Sequence, residues 1–420
     1  MSEWSEVTLG DLAEFSNGAN FTKESFGVGI KIIGVGDFGD RLSPDWDQIP
    51  EVDPGAVTSD RQRLEVNDLV FVRSNGNPAL VGRSMLVTDG PSATHSAFTI
   101  RARPDTTRVD PRFLGYQLRH AHKSGLMTAA NGTNITNLNQ TILGLIPVLL
   151  PDMAVQRRIV SMLGAIDDLI ENNRRRIALF ERMAQAIYRE WFVHFRYPGH
   201  WDDELLDSPR GPIPAGWEVT TIGESFATVL GGTPSRRNLD LWGGEIPWVN
   251  SGKTNELRVI EPSEYITEDG LARSNTKLMP SKTTLIAITG ATLGQVTMLE
   301  AEMCANQSVV GVYDEHGVNG EWIYRTFVDR IGAIIQSASG GAQQHINKGV
   351  IEEVVIVRPP DRILAAFDAS LRPAGDEIAT LLRSVRCLGE LRDLLLPRLV
   401  TGTIDVSHLD FDGLAGEQAA

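Results

Sequence analysis

The chain has 420 residues, of which 42% are hydrophobic and 22% charged. That composition excludes disordered and fibrous classes and calls for two to four folded domains. The formal net charge of −15 argues against non-specific nucleic-acid binding by the surface as a whole. A local basic face remains compatible with it, because exposed charges more than about 10 Å apart are screened at cellular salt. Two cysteines, Cys304 and Cys387, argue against a disulfide framework or a zinc site and for a reducing, cytoplasmic setting. The start, Met-Ser-Glu-Trp, has no basic region followed by an apolar core, so no secretory signal is expected. The longest apolar run, 142–150, is broken by Gly144 and Pro147 and is too short to span a membrane.

The first segment, 1–150, carries 13 Lys and Arg against 17 Asp and Glu and opens with WSEVTLG at 4–10. Short alternating runs follow; 63–88 is rich in strand pattern, and PRFLGYQLRHAH at 111–122 reads as helix. After Pro151 the pattern changes to a heptad seam: Ile159, Leu163, Ile166, Ile170, Asn173, Ile177, Phe180, Ala184, Ile187 and Trp191, at alternating steps of four and three. If 152–196 were wholly helical it would extend roughly 65 Å. This stretch is also the only basic one, with 8 Lys and Arg against 6 Asp and Glu in 151–198. Asn173 within the seam costs stability and serves to fix register.

The opening then recurs as WEVTTIG at 217–223. Ile32 to Val35 is echoed by Ile246 to Val249, Leu69 to Val72 by Leu285 to Ile288, His95 to Phe98 by Asn306 to Val309, and Asn131 to Asn134 by Gly340 to Gln343. Their shared order implies two homologous halves of about 210 residues. A helical counterpart to 111–122 is expected at 320–335. A second seam follows Pro359: Phe367, Leu371, Ala374, Ile378, Leu381, Val385, Leu388, Arg392 and Leu395, each 208 residues after its counterpart. Pro373 is expected to kink or separate the first turns of this helix. Two narrow stripes of this kind satisfy each other by pairing. The other reading is that each helix packs only on its own domain.

The expected fold class is α+β: two homologous mixed α/β domains joined by two long antiparallel helices that form a coiled coil, a pseudo-twofold internal repeat. The expected boundaries are 1–150 for the first domain, 151–197 for the central helix, 198–360 for the second domain, 361–400 for the C-terminal helix and 401–420 for the tail.

Catalytic constellations are missing. The glycines at 290–294 lack the Lys-Ser/Thr of a phosphate loop, and Gly34, Gly36 and Gly39 lack the spacing of a dinucleotide fingerprint, so both read as turns. His120 and His122 have no clustered partners for a metal. The loops are instead rich in Arg, Lys, Asn and Gln, the side chains that read guanine and adenine edges. In the first half the candidates are Arg73, Asn75, Asn77, Arg83, Asn134 and Asn137. In the second they are Arg236, Arg237, Asn250, Lys253, Thr292, Gln295, Gln343, Gln344 and His345.

The segments AQAIYREWFVHFRYPG at 184–199 and LRDLLLPRLVTGTIDV at 391–406, with the duplicated domain-helix plan, resemble the specificity subunit of Type I restriction-modification enzymes. The resemblance covers nearly the whole chain. It implies a target recognition domain in each half, each reading one part of a split double-stranded DNA sequence across a spacer set by the helices. It implies no catalysis and no cofactor in this chain. S-adenosylmethionine, ATP and Mg belong in that family to its partners, the modification (methyltransferase) and restriction (motor and nuclease) subunits. Gln156 matches a common family feature, whereas the second helix has Arg362, Ile363 and Leu364 there. The alternative is a coiled-coil scaffold whose two domains bind proteins or glycans.

Overall fold

The computed structural model describes residues 4–57, 59–125, 137–338 and 346–408. The chain divides into two compact units, one formed by Met1–Glu171 with Cys387–Ala420 and the other by Asn172–Arg386.

In the first unit the elements run β1 (Ser5–Thr8), β2 (Ala13–Asn17), β3 (Phe26–Ile33), β4 (Glu51–Val52), β5 (Arg63–Leu64), β6 (Leu69–Val72), β7 (Ser84–Leu86), β8 (Ala93–His95), β9 (Thr99–Pro104), α1 (Pro111–Lys123), α2 (Gln140–Gly144), β10 (Pro147–Leu150) and the start of α3 (Met153–Phe192). Two four-stranded sheets have the orders β2-β9-β6-β7 and β4-β3-β8-β5, and β1 pairs antiparallel with β10. All four residues of β6 are buried, as expected of an apolar run covered on both faces. Helix α1 starts where Asp110 Oδ1 accepts from the amides of Arg112 and Phe113, with Pro111 in the first turn. Its Phe113, Leu114, Tyr116 and Leu118 share one core with Ile159 and Leu163 of α3.

The second unit runs from the rest of α3 through β11 (Leu205–Leu206), β12 (Ile213–Pro214), β13 (Glu218–Thr221), α4 (Ile222–Ser225), β14 (Ala227–Leu230), β15 (Trp242–Val249), β16 (Arg258–Val259), β17 (Glu264–Ile266), α5 (Glu268–Ala272), β18 (Thr284–Ala287), β19 (Val296–Leu299), β20 (Cys304–Ala305), β21 (Val309–Tyr313), α6 (Gly320–Ala338), α7 (Lys348–Glu352) and β22 (Val355–Arg358) into α8 (Asp361–Val400). The sheet orders repeat: β14-β21-β18-β19 corresponds to β2-β9-β6-β7, and β17-β15-β20 to β4-β3-β8. The additions differ, with β16 beside β19 here and β5 beside β8 in the first unit.

Hydrogen bonding corrects the alignment of the two halves. The parallel pairs match Ile33 with His95 and Val249 with Ala305, and the following amides, Ser96 and Asn306, each donate to that strand carbonyl at 3.0 Å. Thus Ile33 corresponds to Val249 and His95 to Ala305, two positions and one position from the sequence matches. Val72 N donates to Arg83 O and Ala287 N to Gln295 O, both at 2.9 Å, so Val72 corresponds to Ala287 rather than Ile288. Short apolar runs look alike after a slip, and strand pairing decides among the slips. The match of Asn131 to Asn134 with Gly340 to Gln343 lies outside the described residues.

The long helices also depart from expectation. Each has 40 residues, a rise of about 60 Å; α3 stops at Phe192, short of the expected 197, and Phe195 takes a positive φ of 57°. Helix α8 continues through Pro373 without a break. The proline is exposed, while Leu371, Ala374 and Ile378 beside it are buried, so packing holds the turn that lacks one amide. In the second unit, later α3 positions meet earlier α8 positions: Asn173 Nδ2 donates to Ser384 Oγ at 3.1 Å, Arg176 pairs with Glu377 at 2.6 Å, and Phe192 packs on Phe367 with ring centroids 4.7 Å apart.

Every seam position is buried or half-buried. Ile159, Leu163, Ile170, Asn173, Ile177, Phe367, Leu371, Ile378 and Leu381 are buried, while Ile166, Phe180, Ile187, Val385, Leu388 and Leu395 are half-buried. The seam is not the whole story, however. Tyr188 and Phe192 enter the second core, and Leu396, Leu399 and Val400 enter the first, so the helix ends are also parts of their domains. Gln156 is likewise internal: buried, it accepts from Asp110 N at 2.8 Å and donates to Pro151 O at 2.9 Å.

Candidate nucleic-acid interface

The strands of each unit deliver their polar loops to one end. In the first, β3 and β8 are parallel, so the turn at 34–37 and the segment at 96–98 leave from the same edge. Arg73 N donates to Phe98 O at 2.8 Å, and Leu138 N to Arg73 O at 2.7 Å. Ser74 bridges to Asn137. Arg83 Nη1 reaches Phe38 O at 3.5 Å. The loops carrying Arg73, Arg83 and Asn137 therefore converge, although they lie up to 64 positions apart in the chain.

The second unit repeats the two backbone bonds made by Arg73. Ile288 N donates to Ser308 O at 2.9 Å and Ile346 N to Ile288 O at 3.1 Å, the counterparts of the Arg73 and Leu138 bonds. Gly82 N and Gly294 N each donate at 2.9 Å, to Val72 O and Ala287 O, with positive φ of 86° and 81° that favour glycine. The residues that follow, Arg83 and Gln295, thus occupy one structural position. Gln295 Oε1 accepts from Thr254 Oγ1 at 3.3 Å, which joins the loop of Asn250 and Lys253 to that of Thr292.

Several candidates have internal duties. Asn75 Oδ1 accepts from Asn77 N at 2.7 Å, Asn77 Oδ1 from Ala79 N at 3.1 Å, and Asn250 Oδ1 from Gly252 N at 2.8 Å, so each oxygen spends one of its two lone pairs on closing a turn. Arg236 forms a bidentate pair with Glu264 at 2.6 and 2.7 Å and lies 3.6 Å from the Trp242 ring centroid. The hydrogen bonds to Glu264 raise the Arg236 pKa and lower that of the carboxylate. Lys253 Nζ pairs with Glu256 at 2.7 Å, and half-buried Thr292 turns its hydroxyl toward Thr289 O at 3.5 Å. Arg237 and Asn137 are exposed. Asn134, Gln343, Gln344 and His345 lie outside the described residues.

Sequence reasoning missed Asp37 and Phe98. Asp37 follows Gly34 in a turn that the sequence identified only as a turn. Its Oδ2 accepts from Gly34 N at 2.7 Å, and burial pushes its carboxyl up against the lowering effect of that bond. Placing the halves in the hydrogen-bonded register would have set Asp37 beside Lys253. Among the described residues no group of three or more His, Cys, Asp or Glu is placed to hold a metal ion, and no helix is long and apolar enough to cross a membrane.

The family model for the Type I restriction modification DNA specificity domain matches residues 1–182 and 214–371. The chain is 26% identical over 288 residues to the Type I restriction enzyme MjaIX specificity subunit of Methanocaldococcus jannaschii, covering 68% of this chain and 66%, just under two thirds, of that one. It is 25% identical over 213 residues to the EcoR124I/EcoR124II specificity subunit of Escherichia coli, covering 48% of each. Its fold is similar to that of the Type I restriction-modification S subunit of M. genitalium, with a TM-score of 0.59, 14% identity and coverage of 95% and 96%. Matched over most of its length by two copies of the domain model, the chain belongs to the Type I restriction modification DNA specificity domain family.

Proposed function

We propose that this chain is the DNA specificity subunit of a Type I restriction-modification complex. Each unit reads one half of a bipartite double-stranded target, and α3 and α8 pair as an antiparallel coiled coil that sets the spacer. On this reading the halves are related by a pseudo-twofold axis, and the target recognition domains are 1–150 and 198–360. The chain is non-catalytic and cytoplasmic. Modification subunits supply adenine methylation from S-adenosylmethionine, and restriction subunits supply ATP- and Mg-dependent cleavage. The observation that carries the reading is the repeated convergence of Arg-, Asn- and Gln-bearing loops at one end of each unit, in a chain of this family. Such side chains offer bidentate donors and acceptors to base edges.

The test is a seven-residue insertion in α3, matched by one in α8 to keep the seam in step, in the complex with methyltransferase subunits. Methylation sequencing is expected to show unchanged half-sites and a longer spacer. An unchanged spacer at full activity would show that the helices do not measure it.

A further inference from the structure

We propose that Asp37 and Lys253 are a matched pair of base discriminators. On the DNA-recognition reading above, the Asp37 carboxylate accepts from the exocyclic amine of cytosine or adenine, and the Lys253 ammonium donates to guanine O6 and N7. The two half-sites therefore carry different bases on the contacted strand at the corresponding position.

The equivalence of the two positions is set by the backbone. Each is the third residue of a short 3-10 turn, Val35–Asp37 or Ser251–Asn255, that follows β3 or β15 directly. Asp37 N donates to Gly34 O at 3.2 Å, and Lys253 N to Asn250 O at 3.1 Å. The strands before them end in the same register, Ile33 against His95 and Val249 against Ala305. One structural position thus carries opposite charges in two otherwise matched frames. Each side chain has its own local contact, Asp37 with Gly34 N and Lys253 with Glu256, and the shared backbone gives no common reason for the opposite signs. Recognition of different bases supplies one, since a carboxylate takes donors and an ammonium takes acceptors.

The surroundings of Asp37 suit a base edge. It lines a cleft of about 390 Å³ together with Phe21, Phe26, Ser96 and Phe98. Phe26 and Phe98 remain 49% and 59% exposed, so the rim presents apolar faces that fit a base plane or a thymine methyl group. The cleft joins the loop cluster directly, because Phe98 O receives Arg73 N and Phe38 O lies within reach of Arg83. Asp37 commits Oδ2 to Gly34 N, and among the described residues Oδ1 has no donor. Lys253 spends one of its three donors on Glu256, three residues along the same turn.

The experiment compares Asp37→Asn and Lys253→Gln in the complex of the full chain with its methyltransferase subunits, using a duplex library randomised over both half-sites and sequencing the methylated products. Asparagine retains the oxygen that Gly34 needs while replacing the other acceptor with a donor. D37N is expected to relax or switch the preferred base at one position of one half-site, with roughly a tenfold loss of discrimination there, and to leave the other half-site as in the wild type. K253Q is expected to do the same in the opposite half. Unchanged motifs in both variants, or changes confined to one and the same half, would overturn the pairing. A D37N protein whose melting temperature collapses leaves the decision to K253Q, whose ammonium pairs with Glu256 of the same loop. A wild-type complex that selects no bipartite motif would instead remove the DNA-recognition reading itself, and this inference with it.

Discussion

At the scale of single residues the sequence names chemistry but not partners. Asn75, Asn77 and Asn250 read as base-reading amides, yet their oxygens close turns two residues on. Arg236 is held by Glu264, 28 positions away, a partner that only the pairing of β15 with β17 brings near. His95 shows how far an environment alters a residue. Its ring is fully enclosed at the end of β8, with Nδ1 3.0 Å from Thr99 Oγ1. Burial, assisted by the Arg101 charge, pushes its pKa down to about 4. An unfolded chain protonates this ring near pH 6.5, so between pH 6.5 and 4 the unfolded state binds a proton that the folded state refuses. The contribution of the neutral ring to stability is therefore complete above about pH 6.5 and is lost as pH falls toward 4, approaching about 3 kcal/mol. In urea melts of wild type and His95→Gln, the stability difference in favour of the wild type is expected to shrink steadily from pH 7 to pH 4.5. A difference that stays constant across this range would show that His95 does not titrate in the unfolded chain alone.

At the scale of elements the legible features are the periodic ones. The heptad steps locate both long helices because a period of three and four survives without knowledge of the partner. The helix ends were less legible: Tyr188, Phe192, Leu396 and Leu399 lie off the seam and are buried by domain cores that the period does not encode. Strand identity was readable from apolar runs, whereas strand register slipped by one or two residues because register resides in pairing. Pro373 departs from the expected kink for a related reason. A proline removes one helical hydrogen bond and crowds the preceding turn, at a cost of about 3 kcal/mol in an isolated helix. Here Leu371, Ala374 and Ile378 pack on one side and Gly375 lies against Glu321, where an added Cβ would come within 2.7 Å of Oε1, so tertiary packing carries the helix past it. The strain should then still be present. Pro373→Ala is expected to raise stability by about 1–3 kcal/mol, visible as a higher urea midpoint with an unchanged m-value. A lower midpoint would mean that the proline shapes a bend the packing requires.

At the scale of the whole molecule, the proposed function implies that charge divides the labour of DNA binding. Phosphate contacts supply affinity and salt dependence, and base contacts supply sequence choice. A chain with 54 acidic residues against 39 Lys and Arg is poorly suited to the first task, while its converging loops suit the second. A division of this kind has a measurable form. Each neutralised phosphate contributes about −0.9 to the slope of log K against log salt concentration, so about two contacts cost roughly tenfold in affinity between 50 and 200 mM salt, whereas six to ten cost about 10³–10⁵-fold. The isolated chain is expected to bind a duplex carrying its target weakly and with the shallow slope. The complex with methyltransferase subunits should bind with the steep one, while the ratio of target to scrambled duplex changes little with salt. Fluorescence anisotropy over that salt range decides the matter. A steep slope for the chain alone would place the phosphate grip on this subunit and require a basic face strong enough to overcome its net charge.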